Sequence, residues 1–89
     1  MRAIVTVVGK DQVGIIAAVC VKLAEYNVNV LDISQTVMQG YFTMMMAVEV
    51  SECTIPLAQL CDAMEEAGKE MGLSIKVQRE DIFQAMHRI

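Results

Sequence analysis

The chain has 89 residues, enough for one domain with a modest core. It is 55% hydrophobic and 20% charged, against the roughly 45–50% apolar content of ordinary soluble domains, and an apolar excess over so small a volume points to an oligomer. The net charge is −4 and the basic residues Arg2, Lys10, Lys22, Lys69, Lys76, Arg79 and Arg88 are scattered, so no basic stripe is present to neutralise phosphates and direct nucleic-acid binding is disfavoured.

Residues Arg2–Val8 are rich in Val and Ile and predict a first strand. Ala3, Val5 and Val7 share one face, and Arg2, Ile4, Thr6 and Val8 the other. Both faces are largely apolar, so the strand is expected to be central and covered on both sides. The run Gly9–Gly14 then breaks the strand, and Asp11 is placed to cap the helix that follows. Gly14–Tyr26 reads as that helix: Ile15, Ile16, Val19 and Leu23 form a core stripe, widened by Ala17, Cys20, Val21 and Ala24 beyond what one sheet face requires.

Asn27 ends the helix and Val28–Gln39 follows as a second strand. Asn29, Leu31, Ile33, Gln35 and Val37 are expected on one side, and Val28, Val30, Asp32, Ser34, Thr36 and Met38 on the other. Gln39-Gly40 is a hairpin turn signal. Tyr41–Ser51 alternates cleanly, with Phe42, Met44, Met46, Val48 and Val50 on one face. Thr54 is the expected N-cap of a second helix with Pro56 in its first turn, and Leu57, Leu60, Cys61, Met64, Ala67, Gly68 and Met71 follow helical spacing. Gly72 closes that helix. Leu73–Arg79 is a fourth strand, and the tail 80–89 is expected to form a short helix with Ile82, Phe83, Met86 and Ile89 on one side.

The order β-α-β-β-α-β, with right-handed crossovers, predicts an α+β, ferredoxin-like sandwich: a four-stranded antiparallel sheet with two helices on one face and a short C-terminal tail helix. Residues 1–89 are expected to form a single domain, core 1–79 and tail 80–89. The helix-free face, carrying Ile4, Val8 and their neighbours, is too apolar for water, and a second copy is its simplest cover, each patch meeting its equivalent across a two-fold axis.

That fold hosts many functions, so function must come from a site. The one histidine, His87, lies near the C-terminus with no Cys or Asp beside it in sequence. Cys20, Cys53 and Cys61 are odd in number and widely spaced, which gives neither a C-x-x-C motif nor a zinc spacing. No metal or cofactor is expected. Gly9 and Gly14 have the gap of a phosphate-binding loop, but Ile15-Ile16 stands where Lys-Ser/Thr should follow. Ser34 and Ser51 have no nearby base, so catalysis is not expected. The free thiols fit a cytoplasmic, reducing compartment. Met1–Val8 reads as strand rather than signal peptide, and no apolar run nears the roughly 18 residues of a membrane span. What remains is the turn before the first helix, whose free N–H groups and positive dipole end suit a carboxylate. Asp11 can accept from an ammonium group, and Asn29 can both donate and accept.

These residues carry a family likeness. The stretch Ile4–Ile16, with Asp11-Gln12-Val13-Gly14-Ile15 at its turn, resembles the opening of ACT domains, where a D-x-x-G-I/L motif links the first strand to the first helix. Asn27-Val28-Asn29-Val30-Leu31-Asp32-Ile33-Ser34-Gln35 is similar to that family's N-I-x-D-I run, and with Tyr41–Met44 and the tail Ile82–Ile89 the whole chain looks like the small single-domain ACT proteins of prokaryotes, the UPF0237 type. The resemblance implies a regulatory homodimer that binds a small molecule, usually an amino acid, between the β1–α1 turn of one copy and β2 of its neighbour. By position this points to Asp11, Val13, Gly14 and Ile15 on the turn and to Asn29 and Leu31 on β2. Regulation would then act through a separate protein partner. The alternative is an assembly module of the same fold that binds no metabolite.

Overall fold

The computed structural model describes residues 1–81, in the order β1 (Arg2–Lys10), α1 (Ile15–Glu25), β2 (Asn29–Met38), β3 (Tyr41–Glu49), α2 (Leu57–Met71) and β4 (Ser74–Arg79). The strands form one antiparallel sheet in the order β2-β3-β1-β4. This is the expected ferredoxin-like arrangement. The expected tail helix spans residues 80–89; Glu80 and Asp81 take helical conformation, and the rest lies outside the described residues.

The core lies between the sheet and the helices. Ala3, Val5, Val7, Met44, Met46, Val48, Ile75 and Val77 line the sheet's covered face and meet Ile15, Val19 and Leu23 of α1 and Leu60 and Met64 of α2. Leu23, Met44, Met46, Leu60 and Met64 are fully buried, each contributing about 2 kcal/mol by leaving water. The methionines of β3 fall inward or outward by strict alternation, which overrides their helical preference. Close packing of α2 on β4 depends on Gly68, where a Cβ would lie 2.8 Å from the Leu73 carbonyl oxygen.

Four local expectations are corrected. Strand β1 does not break at Gly9 but runs on to Lys10, paired with Tyr41. The N-cap of α1 is Gly14, with no side-chain cap, so Asp11 does not cap; its backbone N–H instead donates to the Gly40 carbonyl at 2.8 Å, tying the turn to the β2–β3 hairpin. Pro56 rather than Thr54 occupies the N-cap of α2, which starts later than expected, and the Thr54 N–H donates to the Tyr26 carbonyl at 3.0 Å. Finally, β2 carries a bulge: Val30 pairs with Val48 and Asp32 with Ala47, leaving Leu31 unpaired. The extra residue switches the faces. Ile33, Gln35 and Val37 therefore share the side of Val30, opposite Met46, Met44 and Phe42, while Asn29 pairs with Glu49 on the helix-free side.

On that helix-free side, Ile4, Val8, Met45 and Ala47 run down the middle of the sheet, and Ser34, Thr36, Ser74, Lys76 and Gln78 border them. Val8 and Met45 are 42% and 38% exposed. Thr6 and Thr43 stand among them, so the centre is mixed but richer in apolar groups than the polar edges.

Candidate functional site

The β1–α1 turn is built to hold the end of a helix open. Gly14 adopts φ 86, ψ 8, a left-handed conformation that costs other residues energy. Among the described residues no side chain caps the N-terminus of α1, which leaves its first-turn donors and the positive end of the helix dipole without a side-chain partner there. The turn is anchored on two sides, by the Asp11–Gly40 backbone bond and by Gln12, whose amide Nε2 donates to the Met71 carbonyl at 3.1 Å.

Beside it lies a cleft of about 460 Å³, lined by Asp11, Gln12, Gly14, Ile15, Ile16 and Ala17 from the turn and α1, and by Gln35, Thr36, Val37 and Phe42 from β2 and β3. Its polar lining residues are Asp11, Gln12, Gln35 and Thr36. Ile16, Val37 and Phe42 line it with apolar groups. Such a cleft can hold a carboxylate against the N–H groups and an ammonium against Asp11.

Of the six residues expected at the site, the structure brings Asp11, Gly14 and Ile15 to this cleft. Val13 points fully into solvent at the tip of the turn. Asn29 and Leu31 lie at the far end of β2: Asn29 is opposite Glu49, which pairs with Arg2 at the start of β1, whereas the turn leaves the end of β1. The four residues from Leu31 to Gln35 span about 13 Å along the strand. Within one subunit, then, the cleft borders Gln35, Thr36 and Val37 instead. Sequence reading missed these three and Phe42. Gln35 stands in the family-like run Asp32-Ile33-Ser34-Gln35, and that was the available signal.

Among the described residues, no strand pairs with the outer edge of β2. Along it Leu31, Ile33 and Val37 are 47%, 39% and 54% exposed, and on α1 Val21 is 61% exposed. This flank, like the helix-free face, leaves large apolar groups in water.

A second groove, of about 450 Å³, runs between α2 and β4 and is lined by Cys61, Glu65, Lys69, Leu73 and Lys76 among others. Its thiol is occupied: Cys61 Sγ donates to the Val77 carbonyl at 3.2 Å. Burial, and then the nearby Asp62 charge, push the Cys61 thiol pKa up, away from a reactive thiolate. Among the described residues no group of three or more His, Cys, Asp or Glu is placed to hold a metal ion, and no helix is long and apolar enough to cross a membrane.

Comparison with known proteins matches residues 2–78 to the ACT domain model. The chain is 49% identical to a UPF0237 protein of Listeria innocua over 89 residues, 100% of each chain. A solved ACT domain protein from Streptococcus pneumoniae superposes with a TM-score of 0.83 at 45% identity, covering 97% of both chains. The regulatory subunit of aspartate kinase from Thermus thermophilus, in a ligand-free form, superposes with a TM-score of 0.65 at 26% identity, covering 86% of this chain and 50% of that one.

Proposed function

The chain belongs to the ACT domain family, and from that premise we propose that it is a non-catalytic regulatory module, a homodimer that binds an amino acid at the boundary between its subunits. The observation that carries this reading is the uncapped N-terminus of α1, held open by Gly14 in a cleft beside a β2 edge that no strand among the described residues covers.

A second copy supplies the cover. If the two β2 edges run antiparallel about a two-fold near Ile33, residue pairs flanking that point become neighbours: the partner subunit's Leu31 comes opposite Gln35, and the partner subunit's Asn29 comes opposite Val37. Asn29 and Leu31, remote from the turn in their own subunit, then reach the turn of the other. A ligand lying there touches both subunits and favours the geometry in which both touch it, which a protein partner can read as a signal. The free cysteines accord with a cytoplasmic setting.

Thermal unfolding of the full chain against each of the twenty amino acids tests the reading. A ligand at a hundredfold excess over its Kd adds about 2.7 kcal/mol to the folded state, and at least one amino acid is expected to raise Tm by several degrees. No shift with any of them, together with a stoichiometric complex with another protein, would replace this reading with that of an assembly module.

A further inference from the structure

We propose that the outer edge of β4, with the groove between β4 and α2, takes an extended acidic segment of a partner protein as an added strand. The inference goes beyond the amino-acid site and stands whether or not a metabolite binds there.

The pairing of β1 fixes which backbone groups β4 turns outward. In an antiparallel pair, opposed residues alternate between exchanging both hydrogen bonds and exchanging none. The Val50 N–H donates to the Met1 carbonyl at 3.0 Å, and the Asp11 N–H to the Gly40 carbonyl at 2.8 Å. The odd-numbered residues of β1 therefore turn their backbone groups toward β3, and Ile4, Thr6 and Val8 turn theirs toward β4. Their partners there are Gln78, Lys76 and Ser74. Ile75 and Val77 are left with N–H and C=O groups pointing away from the sheet. The Val77 carbonyl accepts from Cys61 Sγ at 3.2 Å, and a thiol is a weak donor. Among the described residues no strand pairs with this edge, and such an edge is a template for another chain.

The groove shapes what can pair there. Cys61, Glu65 and Lys69 line it at i, i+4 and i+8 on α2, a ridge about 12 Å long. That matches the roughly 13 Å from Ser74 to Gln78 along the strand. The space between, about 450 Å³, has the buried Leu73, Ile75 and Val77 as its apolar side. An added strand can rest its inward side chains on them.

Charge names the partner. Lys69 and Lys76 are exposed and take part in none of the ion pairs among the described residues. Lys69 belongs to the helix side of the sheet. The Lys76 side chain, alternating with the inward Ile75 and Val77, leaves the other side. Against Glu65 the two lysines make the groove locally positive on a chain of net charge −4. A second copy is disfavoured here. The two-fold register that pairs most of β4 sets Lys76 against the partner subunit's Lys76, and like charges directly opposed repel. A glutamate or aspartate in that place meets both lysines with opposite charge.

Nuclear magnetic resonance of the isotope-labelled full chain tests this, with short capped peptides that alternate valine with glutamate or valine with lysine as probes. The glutamate peptide is expected to shift the Ile75 and Val77 amide signals. It should bind about tenfold more tightly than the lysine peptide at low salt, since the swap turns attractive cross-strand pairs into repulsive ones. The double change Lys69→Glu with Lys76→Glu, on two exposed side chains, is expected to reverse that preference. A glutamate peptide N-methylated along one edge cannot form the strand hydrogen bonds and is expected not to bind. Silence of both peptides at millimolar concentration, equal binding of the two, or an unchanged preference in the double variant overturns the proposal. So does undiminished binding of the N-methylated peptide, or a response confined to the β2 edge. A shift of the Ile75 and Val77 amides on dilution without peptide gives the edge to a second copy instead. A nuclear Overhauser contact between them and residues 82–89 gives it to the chain itself, and either result also overturns the proposal.

Discussion

Replacing Gly14 with Ala isolates the feature that holds the cleft open. The backbone there has φ 86 and ψ 8, and a Cβ built at the position meets no atom within 4 Å. Steric overlap therefore contributes nothing, and the whole effect is the cost of placing an L side chain in the left-handed region, about 1–2 kcal/mol. Alanine also narrows the unfolded chain's freedom, which offsets part of this cost, so the net loss is about 1 kcal/mol. For a domain of this size that lowers Tm by about 4–8 °C. Gly14→Asn, whose side chain tolerates the same region, is expected to lose less, and the β-branched Gly14→Val to lose more. Thermal or urea unfolding followed by circular dichroism reads all three. If Gly14→Ala unfolds at the wild-type temperature, or if the order Asn, Ala, Val is scrambled, the turn does not hold the left-handed conformation, and the open helix end loses its cause.

Other expectations concern the β2 edge and the half-buried Cys61 thiol. Ile33 is 39% exposed, so its interface share is about 1 kcal/mol per copy and about 2 per dimer, and Ile33→Asp should weaken self-association at least about 30-fold. Sedimentation equilibrium reads this; an unchanged dimer in a folded Ile33→Asp chain removes the β2 edge from the interface. Cys61 donates to the Val77 carbonyl and its thiol pKa is raised by burial. It should alkylate with iodoacetamide at pH 8 more slowly in the folded chain than in urea, and equal rates by peptide mass spectrometry contradict that placement.

The elements of the fold were legible where one physical rule dominates. In β3 the alternation from Phe42 to Val50 names the buried face outright, and Gly72 caps α2 in the left-handed conformation its position implies. The corrections arise where two rules compete. Asp11 has a capping side chain, but Gly14 takes the cap position because the chain must turn through positive φ there, and Asp11 is drawn off by a backbone bond to Gly40. In β2, polar and apolar residues are mixed on both sides, so no alternation announces the bulge at Leu31 that flips everything after it. The cleft was half legible. Asp11, Gly14 and Ile15 are neighbours in sequence and were found together. Gln35, Val37 and Phe42 join them only through the topology of the sheet, and Asn29 and Leu31 join only if a second copy is present.

Mixing two impaired chains tests the shared site most directly. Gly14→Val disables the turn and Asn29→Ala disables the β2 side, so a mixed dimer holds one site with both halves altered and one with both intact. With random exchange half the dimers are mixed, and about one quarter of the wild-type binding sites return. The probe is whichever amino acid stabilises the wild-type chain, titrated by calorimetry. A mixture that binds at about a quarter of the wild-type stoichiometry, when each chain alone is silent, is the expected result. A mixture as silent as its components, or either variant binding alone as the wild type does, contradicts a site built from two subunits.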